Sequence, residues 1–191
     1  MFPPFEYQQI MSKAIQKDWL MLETYLSSYV IDWESPIDHD YNTLLHWGAV
    51  DCAQTLKLLI DHLPDLQLLN RPPVVKPHLR KEDQRTGQTV LAYWLKTGLD
   101  NKKWFAQDPD YLECGHLLIR AGADVESATL QFTSDQGELV SEIGFLDILE
   151  QVNGLDKWEA LISSSDPIDP HSSKPNLNEK INYRRKTLGS S

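Results

Sequence analysis

The sequence predicts an all-α protein, a solenoid of about four helical hairpins joined by short hairpin-like or loop connections. The first reason is an internal repeat. Two passages each open on Thr, run through a small-residue helix and an aliphatic helix, and end on Asp-Leu or Asp-Val. The second reason is that apolar residues recur at helical spacing on both sides of these passages. Stacked repeats generally bind other molecules rather than transform them.

Composition places the chain among globular proteins. Its 191 residues suit one domain with a tail, and it is 41% hydrophobic and 24% charged. No apolar run approaches the roughly 20 residues that span a bilayer, and the N-terminus lacks the pattern of a secretory signal. We therefore expect a cytoplasmic monomer without membrane contact.

The charge of the chain bears on its partners. A net charge of −10 disfavours nucleic acid, whose phosphates would be repelled. An acidic surface serves solubility, and it also suits a basic protein partner. Two segments are basic although the chain as a whole is acidic. Arg80 and Lys81 lie in the first, at 71–88, and from Ser164 onward basic residues outnumber acidic ones.

The first half of the chain predicts two hairpins. Helices are expected over 7–17 and 19–28, followed by an extended connection to residue 42 that carries Pro, Asp and Asn. A second pair is expected over 43–50, capped by Asn42, and from Asp51 to about residue 62, where Pro64 ends it. Residues 71–88, with three prolines and seven charges, predict a projecting loop.

The second half predicts a third and a fourth hairpin. The third has helices over 89–96 and 111–121, separated by a polar insertion at 97–110 that contains Trp104 and Phe105. Gly122 occupies a position where helices end in the left-handed conformation. An extended connection at 126–138 and helices over 139–152 and 155–162 complete a domain of residues 1–163. Residues 164–191 predict a flexible tail.

The repeats resemble the ankyrin repeat. In that family a Thr-Pro-Leu-His turn opens the first helix and a Gly-Ala-Asp-Val exit follows the second. Thr43-Leu44-Leu45-His46 matches the opening with Leu44 in place of Pro, and Ala121-Gly122-Ala123-Asp124-Val125 matches the exit. Residues 61–66 and 89–92 are degenerate counterparts. The second unit carries an insertion between its helices, so the resemblance is strong over residues 43–126 and weaker on either side.

The resemblance implies a structural role for His46 and a concave binding face. In this interpretation the His46 imidazole satisfies backbone groups of the turns between repeats. The face would be formed by the hairpin tips and the exposed side of the first helices, and its expected residues are Trp33, Asp38, Asp40, Tyr41, Trp47, Asp51, Tyr93 and Trp94. The alternative for the aromatic residues is packing between repeats. Arg80 and Lys81 would form a second contact or remain solvated.

Motifs of catalysis are missing from the sequence. It contains no glycine-rich phosphate loop, no paired Cys-x-x-Cys, no His-Glu-x-x-His and no Gly-x-Ser-x-Gly. The run Asp38-His39-Asp40 consists of residue types that often bind metals, but a solvated turn explains it better. Cys52 and Cys114 are expected to be small buried residues rather than a disulfide, a metal pair or a nucleophile. We expect no enzyme, no cofactor and no metal.

Two hypotheses for function follow. In the first, the chain is a protein-binding module, an inhibitor, immunity-type protein or adaptor that holds one protein partner on its concave face. In the second, it is a secreted bacterial effector that binds a host protein, with the tail as a delivery or docking signal. A weaker third possibility is an enzyme that uses the inserted loops.

Overall fold

The structure, a computed structural model, describes residues 4–71, 88–103, 108–133, 139–151, 154–156 and 158. The described chain is mostly helical, as predicted, and it also contains one antiparallel β-hairpin. The helices are α1 (Phe5–Ile15), α2 (Trp19–Ser28), α3 (Leu44–Asp51), α4 (Ala53–Asp61), α5 (Val90–Asp100), α6 (Pro109–Arg120) and α7 (Phe145–Gln151). A 3-10 helix covers Leu66–Asn70, and the strands are β1 (Thr129–Thr133) and β2 (Leu139–Gly144).

Several sequence expectations fall outside these residues. Nearly all of the predicted loop at 71–88, including Arg80 and Lys81, lies outside the described residues. The same is true of Trp104, Phe105, most of the predicted helix 155–162 and the whole 164–191 tail. Within the described part of the chain, no helix is long and apolar enough to cross a membrane.

The helical hairpins stack in chain order. Within each hairpin α1 packs on α2, α3 on α4, and α5 on α6. Between hairpins α3 packs on α5, α4 on α6, and α2 on α4. In the second and third hairpins, first helix therefore lies beside first helix and second helix beside second helix, which is how repeated units cover each other's apolar faces. The first hairpin contacts the second through α2 and α4. Three of the expected hairpins are thus described.

The caps of the helices differ slightly from the sequence expectation. Thr43, not Asn42, is the N-cap of α3, and Thr89 is the N-cap of α5, where its side chain accepts a hydrogen bond from the Ala92 backbone N–H. Asp51 ends α3 instead of opening α4. Gly122 has a φ of 93°, so the predicted left-handed helix end is confirmed.

The predicted helix at 139–152 is wrong over its first six residues. Leu139–Gly144 forms strand β2 and pairs with β1 in an antiparallel hairpin, and helix α7 begins only at Phe145. The residues of β2 include Val140, Ile143 and Gly144, which are weak helix formers, while Val and Ile suit a pleated strand. Strand β1 packs on α5.

The third hairpin is held together by interlocking aromatic side chains. Trp94 of α5 stacks on Tyr111 of α6, with ring centroids 5.4 Å apart, and its indole Nε1–H donates to the Tyr111 carbonyl at 2.9 Å. The Tyr111 hydroxyl donates in return to the Trp94 carbonyl. Gly98 and Gly115 permit this close approach, because a Cβ at either position would lie 2.6 Å from a ring atom of Tyr111 or Trp94.

Candidate functional site

A tight loop at residues 37–42, here called the acidic loop, precedes α3. The Ile37 backbone N–H donates to the Asn42 carbonyl at 2.7 Å. Asp38 Oδ1 accepts from the backbone N–H groups of Asp40 and Asn42, each at 2.9 Å, and Oδ2 accepts from the Asn42 side chain at 2.8 Å. Tyr41 adopts a φ of 62°, a value uncommon for residues other than glycine. The Asp38 carboxylate therefore shapes the loop.

This arrangement agrees with the interpretation of Asp38-His39-Asp40 as a turn. The side chains of His39 and Asp40 are exposed, and that of Asp38 is half-buried. No group of three or more potential metal ligands occurs among the residues that the structure describes.

His46 joins the second and third helical hairpins through both of its ring nitrogens. Nδ1 lies 3.2 Å from the Thr43 backbone N, which can only donate, and Nε2 lies 2.8 Å from the Gln88 carbonyl oxygen, which can only accept. These two partners assign the neutral imidazole with its proton on Nε2. Thr43 is the cap of α3 and Gln88 precedes the cap of α5, so the predicted structural role of His46 is confirmed.

Burial keeps this imidazole neutral. The His46 side chain is 1% exposed. Desolvation lowers the pKa of His46 to about 4, and the Gln88 carbonyl and the Asp38 carboxylate oppose this shift only in part. His46 therefore connects two helical hairpins and is unsuited to act as a base near neutral pH.

Trp47 and Tyr93 hold equivalent positions on α3 and α5, the first helices of the second and third hairpins. Each is the fourth residue after the Thr that caps its helix, and α3 packs directly on α5. Both side chains are half-buried, whereas their neighbours on the opposite side of each helix are buried. We call the exposed side of α3 and α5 the aromatic face. Its residues are Trp47, Val50, Asp51, Tyr93, Lys96, Thr97 and Asp100.

Tyr93 connects the aromatic face to the acidic loop. Its ring meets the buried His46 ring edge to face, with centroids 5.4 Å apart. Burial raises the pKa of the Tyr93 hydroxyl, a hydrogen bond with Thr97 lowers it, and the nearby carboxylates of Asp38 and Asp40 raise it. The contact with His46, whose Nδ1 accepts from the Thr43 N–H directly after the acidic loop, places the Tyr93 ring near the end of that loop.

The other predicted site residues divide into buried and half-buried positions. Trp33 belongs to the core with 8% of its side chain exposed, and Trp94 is fully buried. For both residues burial favours the packing alternative over a surface anchor. Asp51 is half-buried on the aromatic face, and its Oδ2 accepts a hydrogen bond from the Thr55 hydroxyl at 2.7 Å. Tyr41 is half-buried in the acidic loop.

A serine–histidine contact between α2 and α4 was not noticed in the sequence. Ser27 Oγ lies 3.2 Å from His62 Nε2, and His62 Nδ1 lies 2.9 Å from the Leu58 carbonyl. Ser27 is in the last turn of α2 and His62 is the C-cap of α4. Backbone carbonyls, not N–H groups, point toward a helix C-terminus, so this environment would repel the oxyanion of an acyl-transfer reaction.

The cysteines agree in part with expectation. Cys114 is fully buried in α6, and burial raises the pKa of its thiol above the ordinary value. A raised thiol pKa is the opposite of what a cysteine nucleophile needs. Cys52 is half-buried at the cap that α3 and α4 share.

Two polar connectors could not be found from the sequence. The Asn70 side chain donates to the Gly122 carbonyl at 3.0 Å and accepts from the Asp124 N–H at 2.6 Å. Asp110 of α6 accepts from the Ala53 N–H at the start of α4 at 3.2 Å. Each joins residues more than fifty positions apart, and no local motif marks such a pair.

Comparison of the chain with protein-family models, curated proteins and solved structures found no match. The resemblance to the ankyrin repeat therefore depends on the residues and contacts described above.

Proposed function

We propose that this chain is a protein-binding module that holds one partner protein on the aromatic face and the acidic loop. The observation that carries the proposal is the pair of half-buried aromatic rings, Trp47 and Tyr93, at equivalent positions on adjacent helices. Large rings that keep part of their surface accessible on a rigid support are typical anchors of protein interfaces. The buried His46 ring beneath Tyr93 fixes one of these anchors in place.

We further propose that the scaffold is a short, degenerate ankyrin-type solenoid. Three features support this. The Thr43–His46 opening forms the backbone contacts described above, Gly122 ends the second helix of the third hairpin in a left-handed conformation, and the second and third hairpins pack first helix to first helix. Strand β1 of the β-hairpin packs on α5, one of the two helices that carry the aromatic face.

The proposed activity is binding rather than catalysis, as an inhibitor, immunity-type protein or adaptor in the cytoplasm. Three polar residues on or next to the aromatic face serve the fold. Asp38 shapes its loop, His46 joins repeats and Asp51 accepts from Thr55. A surface whose polar groups are fixed in this way is pre-organised for binding, which lowers the entropic cost of association.

Replacing Trp47 and Tyr93 together by Ala is expected to abolish partner binding. Hot-spot anchors each contribute about 2 kcal/mol or more, so the loss of both, about 4 kcal/mol if they add, should weaken binding about a thousandfold. The measurement is quantitative co-purification from the native cell extract, followed by titration calorimetry with the protein that is enriched.

The matched control is Phe5→Ala, which removes an aromatic ring that is 64% exposed on α1, outside the aromatic face. Circular dichroism and urea unfolding must show that all variants fold. If the folded double variant retains the partner at full affinity, the aromatic face is not the binding site.

A further inference from the structure

We propose that Cys52 and Cys114 form a disulfide bond when the chain meets an oxidising small disulfide, and that this bond ties the second helical hairpin to the third. They are the two cysteines of the chain, so an intramolecular disulfide has a single possible pairing. Both are free thiols in the structure. The sequence favours two unreactive thiols, because it does not show how the hairpins pack. The inference goes beyond the proposed function, since it concerns a covalent modification of the scaffold.

Cys52 lies at the junction of the two helices of the second hairpin. It ends α3 and precedes α4, and its sulfur lies 3.2 Å from the hydroxyl oxygen of the buried Thr55. The residue is half-buried, so part of it is accessible to a small solute. Helix α6 packs on both α3 and α4. It therefore lies against the two helices that meet at Cys52.

Cys114 lies on the side of α6 that faces this junction. Asp110, one turn earlier on the same side of α6, accepts a hydrogen bond at 3.2 Å from the backbone N–H of Ala53, the residue directly after Cys52. The next residue, Gly115, faces an indole ring of α5 instead. Cys114 is fully buried. Its thiol is therefore enclosed where the third hairpin packs on the second.

Thiol–disulfide exchange with oxidised glutathione forms the bond in two steps. The Cys52 thiolate first attacks one sulfur of glutathione disulfide, and one glutathione leaves as a thiolate, which takes up the proton that Cys52 released. The Cys114 thiolate then attacks the Cys52 sulfur of the mixed disulfide, and the second glutathione leaves and takes up the proton of Cys114. Two protein thiols are oxidised, and one glutathione disulfide is reduced to two thiols.

Burial decides which thiol reacts first. Burial raises the pKa of the Cys114 thiol, and the Asp110 carboxylate and the Cys52 thiol raise it further. Such a thiol reacts slowly with a solute. Against a sulfur that the packing of α4 on α6 holds nearby, the low thiolate fraction is offset by a high effective concentration. Cys52 is therefore the entry point and Cys114 the resolving thiol, and oxidation should be slow.

The test measures the equilibrium of the full chain with a glutathione redox buffer, once in the folded state and once in concentrated urea. Free thiols are trapped with iodoacetamide and counted by mass spectrometry. Because the fold holds the two thiols together, the equilibrium constant for disulfide formation should be at least about a hundredfold larger in the folded chain than in urea. Cys52→Ser is the matched control. It should form no intramolecular bond, and its buried Cys114 should carry no glutathione.

An equilibrium constant in the folded chain that is equal to or below the value in urea would overturn the proposal, because the fold would then hold the two sulfurs apart. A folded chain that stops at equilibrium with glutathione on Cys52 and a free Cys114 would also overturn it. Peptide mapping without reductant should find residues 52 and 114 linked within one chain, and a linkage between two chains in its place would contradict the assignment.

Discussion

Replacing His46 by Ala is expected to lower the free energy of unfolding by about 4 kcal/mol. The change removes a fully buried ring and leaves the Thr43 N–H and the Gln88 carbonyl without their partner in the interface between two helical hairpins. Urea unfolding followed by circular dichroism measures the effect. His46→Gln is the matched variant, because an amide can still donate to one of these groups and accept from the other, and it should lose less than half as much.

The same residue should make stability depend on pH. The pKa of His46 is lowered from 6.5 to about 4 in the folded protein, so between these values the unfolded chain binds more protons. The contribution of the neutral ring to the free energy of unfolding is fully present above pH 6.5 and is lost as the pH falls toward 4. Between pH 7 and 4.5 the natural chain should lose about 2 kcal/mol more than His46→Gln. Parallel pH profiles for the two proteins would contradict this account.

The second large effect is expected at Gly115 of α6. Ala in a helix interior normally gains about 1 kcal/mol over Gly, but here the new Cβ would lie 2.6 Å from an atom of the Trp94 indole. That ring is fully buried, stacks on Tyr111 and donates to the Tyr111 carbonyl, so it has little room to move. We expect Gly115→Ala to destabilise the protein by about 2 kcal/mol as overpacking outweighs propensity.

Gly122→Ala provides the contrast for Gly115→Ala. Nothing lies within 4 Å of a Cβ built at Gly122, but its φ of 93° is unfavourable for Ala. The cost there should be about 1 kcal/mol and should come from the backbone alone. Thermal and urea unfolding of both variants test the pair. If Gly115→Ala is as stable as the natural chain, the helices α5 and α6 are not packed as closely as described.

Helical periodicity and local turn chemistry explain why much of the fold could be predicted. Helix α2 coincides with its predicted range, and the Gly122 helix end is correct. The helical spacing of Leu146 and Leu149 predicts one helix from residue 139, and this prediction is wrong for the residues that form β2. A short apolar segment can form either a helix or a strand, and here pairing with β1 decides between them.

The candidate site was predictable only in outline. The repeat register placed Trp47 and Tyr93 on a shared surface, and both are half-buried there. The same reasoning could not separate them from Trp33 and Trp94, because burial of an aromatic residue depends on which elements cover it. Contacts over long sequence distances, such as His46 with Gln88 and Asn70 with Gly122, depend on the stacking of whole hairpins.

Site-specific photo-cross-linking tests the central proposal most directly. A benzophenone amino acid is introduced at position 93 in one protein and at position 5 in another, and both proteins are irradiated in cells that naturally contain the chain. The aromatic face predicts a discrete adduct with one partner protein from position 93 and none from position 5. A discrete adduct with a partner protein from position 5, and no adduct from position 93, would contradict the proposal.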